Sequence, residues 1–372
     1  MRARDLGIRI GRAEPGRHNA ITDAPGVRVG HATIISGEGP LRVGVGPVRT
    51  GVTVIVPHGG RIWTEPLFAG SHRLNGNGEL TGLEWVRESG VLTSPIAITN
   101  THSVGVVRDA LIALEAGSRG PDELFWGLPV VGETWDGMLN DVNGQHVQLE
   151  HVEQAMASAG DGPVPEGGVG GGTGMICHGF KGGIGTSSRI VADGGGDYVV
   201  GVLVQANHGR RERLQVDGVP VGASIPASAV PVPGGPAAPA GGAGSIIGVV
   251  ATDAPLIPTQ CARLAQRVGL GVARTGGVGE HWSGDLFFAF STANRGIPAS
   301  DLSDTPDRTV QLTMLSNAYI DPLFDAVVEA TEEAILNALL GARTMTGRDG
   351  ITAHALDPDR LVQVLRAAGR MA

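Results

Sequence analysis

The sequence is poor in aromatic residues, in cysteine and in positive charge. Aromatics make up 4% of its 372 residues and charged residues 17%. The only two cysteines are Cys177 and Cys261. Two cysteines this far apart give no disulfide scaffold and suggest no zinc site, and a reducing compartment fits. Lys and Arg number 28 against 37 Asp and Glu, a net charge of −9, which argues against nucleic acid as a partner. No apolar run approaches the ~18–20 residues of a membrane-crossing helix. The start, Met1-Arg2-Ala3-Arg4-Asp5-Leu6-Gly7, lacks the apolar core of a secretory signal. The expectation is a soluble, cytoplasmic protein with no membrane partner.

What is abundant is glycine, 60 residues, roughly 16% against a usual ~7%. With 41% hydrophobic residues, the chain is globular and long enough for a large core. One stretch organises the rest. Of the fourteen residues from Pro231 to Gly244, only Val232 is not proline, glycine or alanine. The chain then turns abruptly apolar and β-branched at Ser245-Ile246-Ile247-Gly248-Val249-Val250, so a loosely ordered tail runs into a buried-type strand. A linker followed by a strand is the commoner meaning of such a stretch. The chemical meaning is a cut between Gly244 and Ser245. Ser245 would become a nucleophile carrying its own base, an α-amine of reference pKa ~7.7–8.0.

Strand patterns precede and follow this junction. They lie at 26–35, 51–57 and 96–100, at 128–134 leading to Glu133, Trp135 and Asp136, at 198–207, and at 245–251, 284–292 and 308–316. Helical patterns cover 104–116, 147–159, 255–268 and 318–340, the last with Ala326, Ala330, Ala334 and Ala338 at close-packing spacing. Thr81 and Glu84 have the spacing of a capping box for a helix to about residue 88. An acid beside an aromatic at a strand end, Glu133 with Trp135, suits an ammonium group or a solvated strand end. Asn207 at a strand end is either a turn former or a donor to an oxyanion. Ser283 and Asp285, two apart, share one face of a strand. The glycine tract 167–189 lacks the order of a phosphate loop, since Lys181 is followed by Gly182. Cys177 beside His178 is poor metal spacing and reads as core. Strand pairs mixed with long helices suggest two stacked sheets covered by helices on both sides.

Taken together, several runs are recognisable: residues 21–31 (Ile-Thr-Asp-Ala-Pro-Gly-Val-Arg-Val-Gly-His), 75–82 (Asn-Gly-Asn-Gly-Glu-Leu-Thr-Gly), 132–141 (Gly-Glu-Thr-Trp-Asp-Gly-Met-Leu-Asn-Asp), 179–189 (Gly-Phe-Lys-Gly-Gly-Ile-Gly-Thr-Ser-Ser-Arg), 244–247 (Gly-Ser-Ile-Ile), 283–292 (Ser-Gly-Asp-Leu-Phe-Phe-Ala-Phe-Ser-Thr) and 329–339. Nearly end to end, the chain resembles the self-processing L-aminopeptidase D-Ala-esterase/amidases and β-peptidyl aminopeptidases. The resemblance implies a single α/β domain over 1–372, a four-layer αββα sandwich like that of N-terminal-nucleophile hydrolases with different connectivity. It implies self-cleavage into an α chain, 1–244, with a flexible tail over 231–244, and a β chain, 245–372. Ser245 is then the nucleophile and Asn207 the oxyanion donor. Ser283 and Asp285 surround the α-amine, and Glu133 anchors the substrate's amino group with Trp135 beside it. Some relatives have glutamate where Asp285 stands and tyrosine where Trp135 stands; tryptophan has no hydroxyl with which to hold a nucleophile. The implied substrates are short peptides, amides or esters with a free amine. The implied assembly is a homotetramer of α/β pairs, without metal or cofactor. Two other readings remain: an acyltransferase of related fold, whose members usually place threonine at the junction, and an uncut glycine-rich ligand-binding protein.

Overall fold

The computed structural model describes residues 1–192, 197–235, 244–298 and 308–371. In chain order the first strands are β1 (Arg28–Ser36), β2 (Val48–Val56), β3 (Leu67–Gly76), β4 (Val91–Leu92), β5 (Ile96–Asn100) and β6 (Val130–Thr134). A two-residue pair, β7 (Ile176–Cys177) and β8 (Phe180–Lys181), leads into β9 (Gly183–Ala192) and β10 (Asp197–Ala206). After the junction come β11 (Ile246–Thr252), β12 (Gly284–Ser291) and a last small pair, β13 (Met345–Thr346) and β14 (Thr352–Ala353). The helices are α1 (Leu83–Ser89), α2 (Val104–Gly117), α3 (Leu149–Ala157), α4 (Val221–Ser224), α5 (Pro258–Arg274), α6 (Asp321–Gly341) and α7 (Pro358–Ala367).

A four-stranded sheet, β1-β2-β5-β6, stacks on a six-stranded one, β4-β3-β12-β11-β10-β9. Ile55, Ile96, Ile98 and Val130 of the first meet Leu203, Ile247, Val249, Phe288 and Phe290 of the second. The outer face of the small sheet packs Val52, Val54, Ala97 and Val131 against Val107 and Leu111 of α2 and Val152 of α3. The outer face of the large sheet packs Val202, Val250 and Phe287 against α5 and α6. This is the expected αββα order of layers. Strands covered on both faces need continuous apolar runs instead of alternation, and β2, β11 and β12 are buried at every position. The alanine column of α6 lets that helix approach β9 closely: a Cβ at Gly185 would lie 2.0 Å from Ala334 O. No helix among the described residues is long and apolar enough to cross a membrane.

Three local expectations fail. Thr81 caps nothing: its hydroxyl donates to Pro129 O (2.6 Å) and accepts from Val131 N–H (3.0 Å). It is stitched to β6, and α1 starts behind Gly82 at φ +74°. Residues 308–316 form no strand. They run extended, held by Asn294 to Thr313 and by Leu315 N–H to Pro255 O, with Val310, Leu312 and Met314 exposed. Residues 272–274 belong to α5, which runs past the expected end at 268. Of the Pro/Gly/Ala tail, residues 236–243 lie outside the described residues.

Candidate active site

The two central strands of the large sheet, β11 and β12, pair in parallel, with Ile246 opposite Asp285. Ser245 therefore sits one residue before β11, beside Ser283 and Gly284 one strand over. Its Oγ accepts a hydrogen bond from Gly284 N–H at 2.9 Å. Ser283 Oγ donates to Asp285 Oδ1 at 2.6 Å, so the two side chains do meet. Burial pushes Asp285 up to about 6, against the opposing pull of the Ser283 hydroxyl and the Ile246 amide.

Asn207 follows the last residue of β10, and its backbone N–H donates to Ser245 O at 3.1 Å. Its side chain is fastened at both ends: Oδ1 accepts from Ile176 N–H (2.7 Å) and Nδ2 donates to Trp135 O (2.8 Å). A primary amide carries two N–H groups, so one donor remains. Gly244 packs directly on Asn207: a Cβ there would fall 1.7 Å from its main-chain carbonyl oxygen and 3.2 Å from its side-chain Nδ2. Only glycine fits at that position.

Glu133 comes from the other sheet, on β6 opposite Thr99 of β5. One oxygen accepts from Glu79 N–H at 2.9 Å and the other from the Thr101 hydroxyl. Burial raises its pKa above the ordinary carboxylate range. The space of one missing methyl at Gly78 separates Glu133 Oε1 (3.0 Å) from Gly284 Cα (3.2 Å). A cavity of about 420 Å³ opens beside Gly78, with Leu80, Trp85 and Leu286 on its apolar side and Arg73, Glu84 and Arg87 also on its walls. Glu133 lies behind Gly78, outside that lining, and the mixed apolar and charged walls suit a polar ligand that also carries apolar groups. Trp135 is half-buried, and its ring lies against Gly137, where a Cβ would come within 2.6 Å. Its contribution to the junction is its backbone carbonyl.

The structure thus brings Ser245, Asn207, Ser283 and Asp285 around one junction, with Glu133 reaching in from the facing sheet. Sequence reasoning missed the supports. The Gly284 and Ile176 amides and the Thr101 hydroxyl leave no pattern. Lys181, fully buried, donates to Gly172 O (3.2 Å), Met175 O (2.9 Å) and Gly182 O (2.8 Å), and burial pushes it down to about 7. Asp136, raised to about 7 by burial, takes hydrogen bonds from Thr50 and Asn140. Among the described residues, Cys177 and His178 gain a third potential metal ligand, His208, that sequence spacing did not offer.

Comparison with known proteins places this geometry. Residues 19–353 match the model of peptidase family S58. The chain is 47% identical over 378 residues to the beta-peptidyl aminopeptidase BapA of Sphingosinicella microcystinivorans, covering all of this chain and 93% of that protein. It superposes on a Burkholderia sp. beta-aminopeptidase with TM-score 0.92 at 53% identity, over 99% of both chains. It also superposes on the L-aminopeptidase D-Ala-esterase/amidase of Ochrobactrum anthropi with TM-score 0.89 at 42% identity, over 100% of this chain and 99% of that one. That protein is described as a prototype for the serine aminopeptidases and a new variant among the Ntn hydrolase fold.

Proposed function

The chain belongs to peptidase family S58, and on that premise we propose that this aminopeptidase processes itself and uses Ser245 as an N-terminal nucleophile. Ser245 Oγ attacks the carbonyl carbon of Gly244. The Gly244–Ser245 C–N bond breaks, the amine takes the hydroxyl proton, and an ester joins Gly244 to Oγ. Water hydrolyses that ester, leaving an α chain that ends at Gly244 and a β chain that starts at Ser245.

In turnover the freed α-amine takes the Oγ proton, directly or through Ser283, and Oγ attacks the substrate carbonyl. The free N–H of Asn207 donates to the oxyanion. The leaving amine or alcohol departs with a proton, and water releases the amino acid. Glu133 binds the substrate's ammonium, and Asp285 with Ser283 holds the α-amine. Short peptides, amides and esters with a free amine meet these requirements, and β-peptides are the substrate class to try first. The expected assembly is a homotetramer of α/β pairs, measured by light scattering on the eluting protein.

The observation that carries this reading is the seating of one hydroxyl at one junction. Ser245 Oγ is held by Gly284 N–H while Gly244 presses on the main chain of Asn207, with that residue's side-chain Nδ2 next to it. Intact mass under denaturing conditions tests it. Two fragments of roughly 25 and 13 kDa, the smaller beginning at Ser245, are expected. A single species at 38.1 kDa in a protein that is nonetheless active sinks it.

A further inference from the structure

Asn207 and one of its two fasteners, Ile176, lead into a second cluster. One residue after Asn207 is His208, and one residue after Ile176 are Cys177 and then His178. Cys177 Sγ lies 3.9 Å from His208 Nδ1. His178 Nδ1–H donates to Arg210 O at 3.1 Å, which leaves its Nε2 with a lone pair and no hydrogen-bond partner. His208 Nε2 has no partner either. The three side chains offer ligand atoms within 4.8 Å of one another, and none of the three residues is more than 4% exposed.

The backbone is bent to make this cluster. His178 has φ +49°, unusual for a residue with a side chain. Gly209, at φ +83°, lies so close that a Cβ would fall 2.3 Å from His178 Cε1. His178 N–H donates to His208 O at 2.7 Å and ties the two segments together. Orphaned polar atoms in a dry interior are rare and unfavourable. The unpaired Nε2 of His178 and the Nδ1 of His208 that faces the Cys177 thiol are two imidazole nitrogens placed to share one partner with that sulfur.

We propose that Cys177, His178 and His208 bind one thiophilic divalent cation of the Zn2+ class, at a site joined to the oxyanion amide through Asn207–His208 and Ile176–Cys177. A thiol and two imidazoles suit this class, and no carboxylate belongs to the set, which disfavours Mg2+ and Ca2+. Metal–sulfur and metal–nitrogen bonds of about 2.3 and 2.0–2.1 Å put neighbouring ligand atoms about 3.6 Å apart in tetrahedral geometry. The 3.9 Å separation matches, and rotation of the rings by about an ångström closes the wider gaps. The thiol proton leaves for solvent as the metal–sulfur bond forms, and no electron is transferred. Bound metal clamps both backbone segments that orient Asn207, so occupancy acts on the catalytic centre without entering it.

Co2+ is the probe. It is added to the chelator-stripped protein and, because the cluster is buried, supplied in the growth medium in a parallel preparation. The expected result is one Co2+ per chain with a thiolate-to-cobalt absorption band, displaced by one equivalent of Zn2+. Cys177→Ser should abolish the band, and His208→Gln should weaken binding roughly tenfold or more. Cys261→Ser should keep it, since that thiol faces Phe68 O. If a ligand variant does not fold, X-ray absorption of the wild-type Zn2+ form replaces it and should show one sulfur and two imidazole neighbours. No thiolate band by either route, a band that survives Cys177→Ser, or a coordination shell without sulfur overturns the proposal. These readouts do not depend on whether the chain is cut, so they fail or succeed apart from the assignment of Ser245.

Discussion

Two sets of buried carboxylates in this protein are treated in opposite ways. Under α6, Glu333 is 0% exposed and meets Arg189 Nη2 at 2.8 Å and Arg4 Nε at 3.1 Å, while Arg189 Nε also reaches Glu329 at 3.2 Å. At the junction, Glu133 and Asp285 are each 2% exposed, yet their hydrogen bonds come from hydroxyls and backbone N–H groups alone. Burying an ion leaves a penalty of several kcal/mol unless an opposite charge compensates it. The α6 cluster is compensated from within the chain and belongs to the fold. Under the proposed function, the junction acids are completed by cations that arrive later: a substrate ammonium for Glu133 and the released amine of Ser245 for Asp285.

This contrast breaks most sharply at Ser245. Ser245→Ala should leave one uncut chain and lower kcat/KM by about 10^6-fold, the scale of deleting a serine nucleophile; denaturing mass spectrometry and turnover check both. Arg189→Met tests the opposite side. It leaves Glu333 with Arg4 as its remaining cation and takes the Arg189 partner from Glu329, should lower unfolding free energy by about 3 kcal/mol in denaturant titration, and should leave activity per folded molecule intact. Asn207→Ala should reduce kcat by about 10²–10³-fold, with KM nearly unchanged. Glu133→Gln keeps the shape and removes the charge. It should raise KM for amine-bearing substrates by about 10–100-fold, the worth of one charged hydrogen bond, without unfolding the protein.

The smallest effect is in pH. Asp285 ionises near 3.8 when unfolded and near 6 when folded. Between those values the native state holds the extra proton, so stability falls as pH rises through the window. Asp136, raised to about 7, extends the same fall toward neutrality. Activity should move the other way, rising as Asp285 ionises to hold an ammonium. Asp285→Asn should remove this rising limb from the kcat/KM profile and flatten the acid end of the stability curve.

The sandwich was legible because its signals are strong and redundant. Continuous apolar runs at β2, β11 and β12 mark strands covered on both faces, and the alanine column of α6 marks close helix packing. Thr81 and Glu84 misled because a capping-box spacing does not reveal that a strand will claim the threonine hydroxyl first. Residues 308–316 misled because alternation reports a sheet only when a neighbouring strand is there to pair with. At the junction, Ser245, Asn207, Ser283, Asp285 and Glu133 were each ambiguous alone, and family resemblance tipped them. His208 could not be joined to Cys177 by reading, because some thirty residues separate them and only the β7–β8 turn and the end of β10 bring them together. Lys181 served in the sequence only to rule out a phosphate loop, and only the fold reveals the three carbonyls it gathers.

Strands β11 and β12 lie between β3 and β10 in the large sheet. A cut before Ser245 therefore gives the smaller piece the centre of that sheet and leaves the larger piece both flanks. Neither piece holds the six-stranded sheet without the other. The uncut chain folds as a single body, but two separated pieces must find one another by diffusion, and recovery becomes concentration-dependent. Heated and diluted, a protein cut as proposed is expected not to return. Its working lifetime is then set by how slowly it opens, a barrier fixed when the precursor folded.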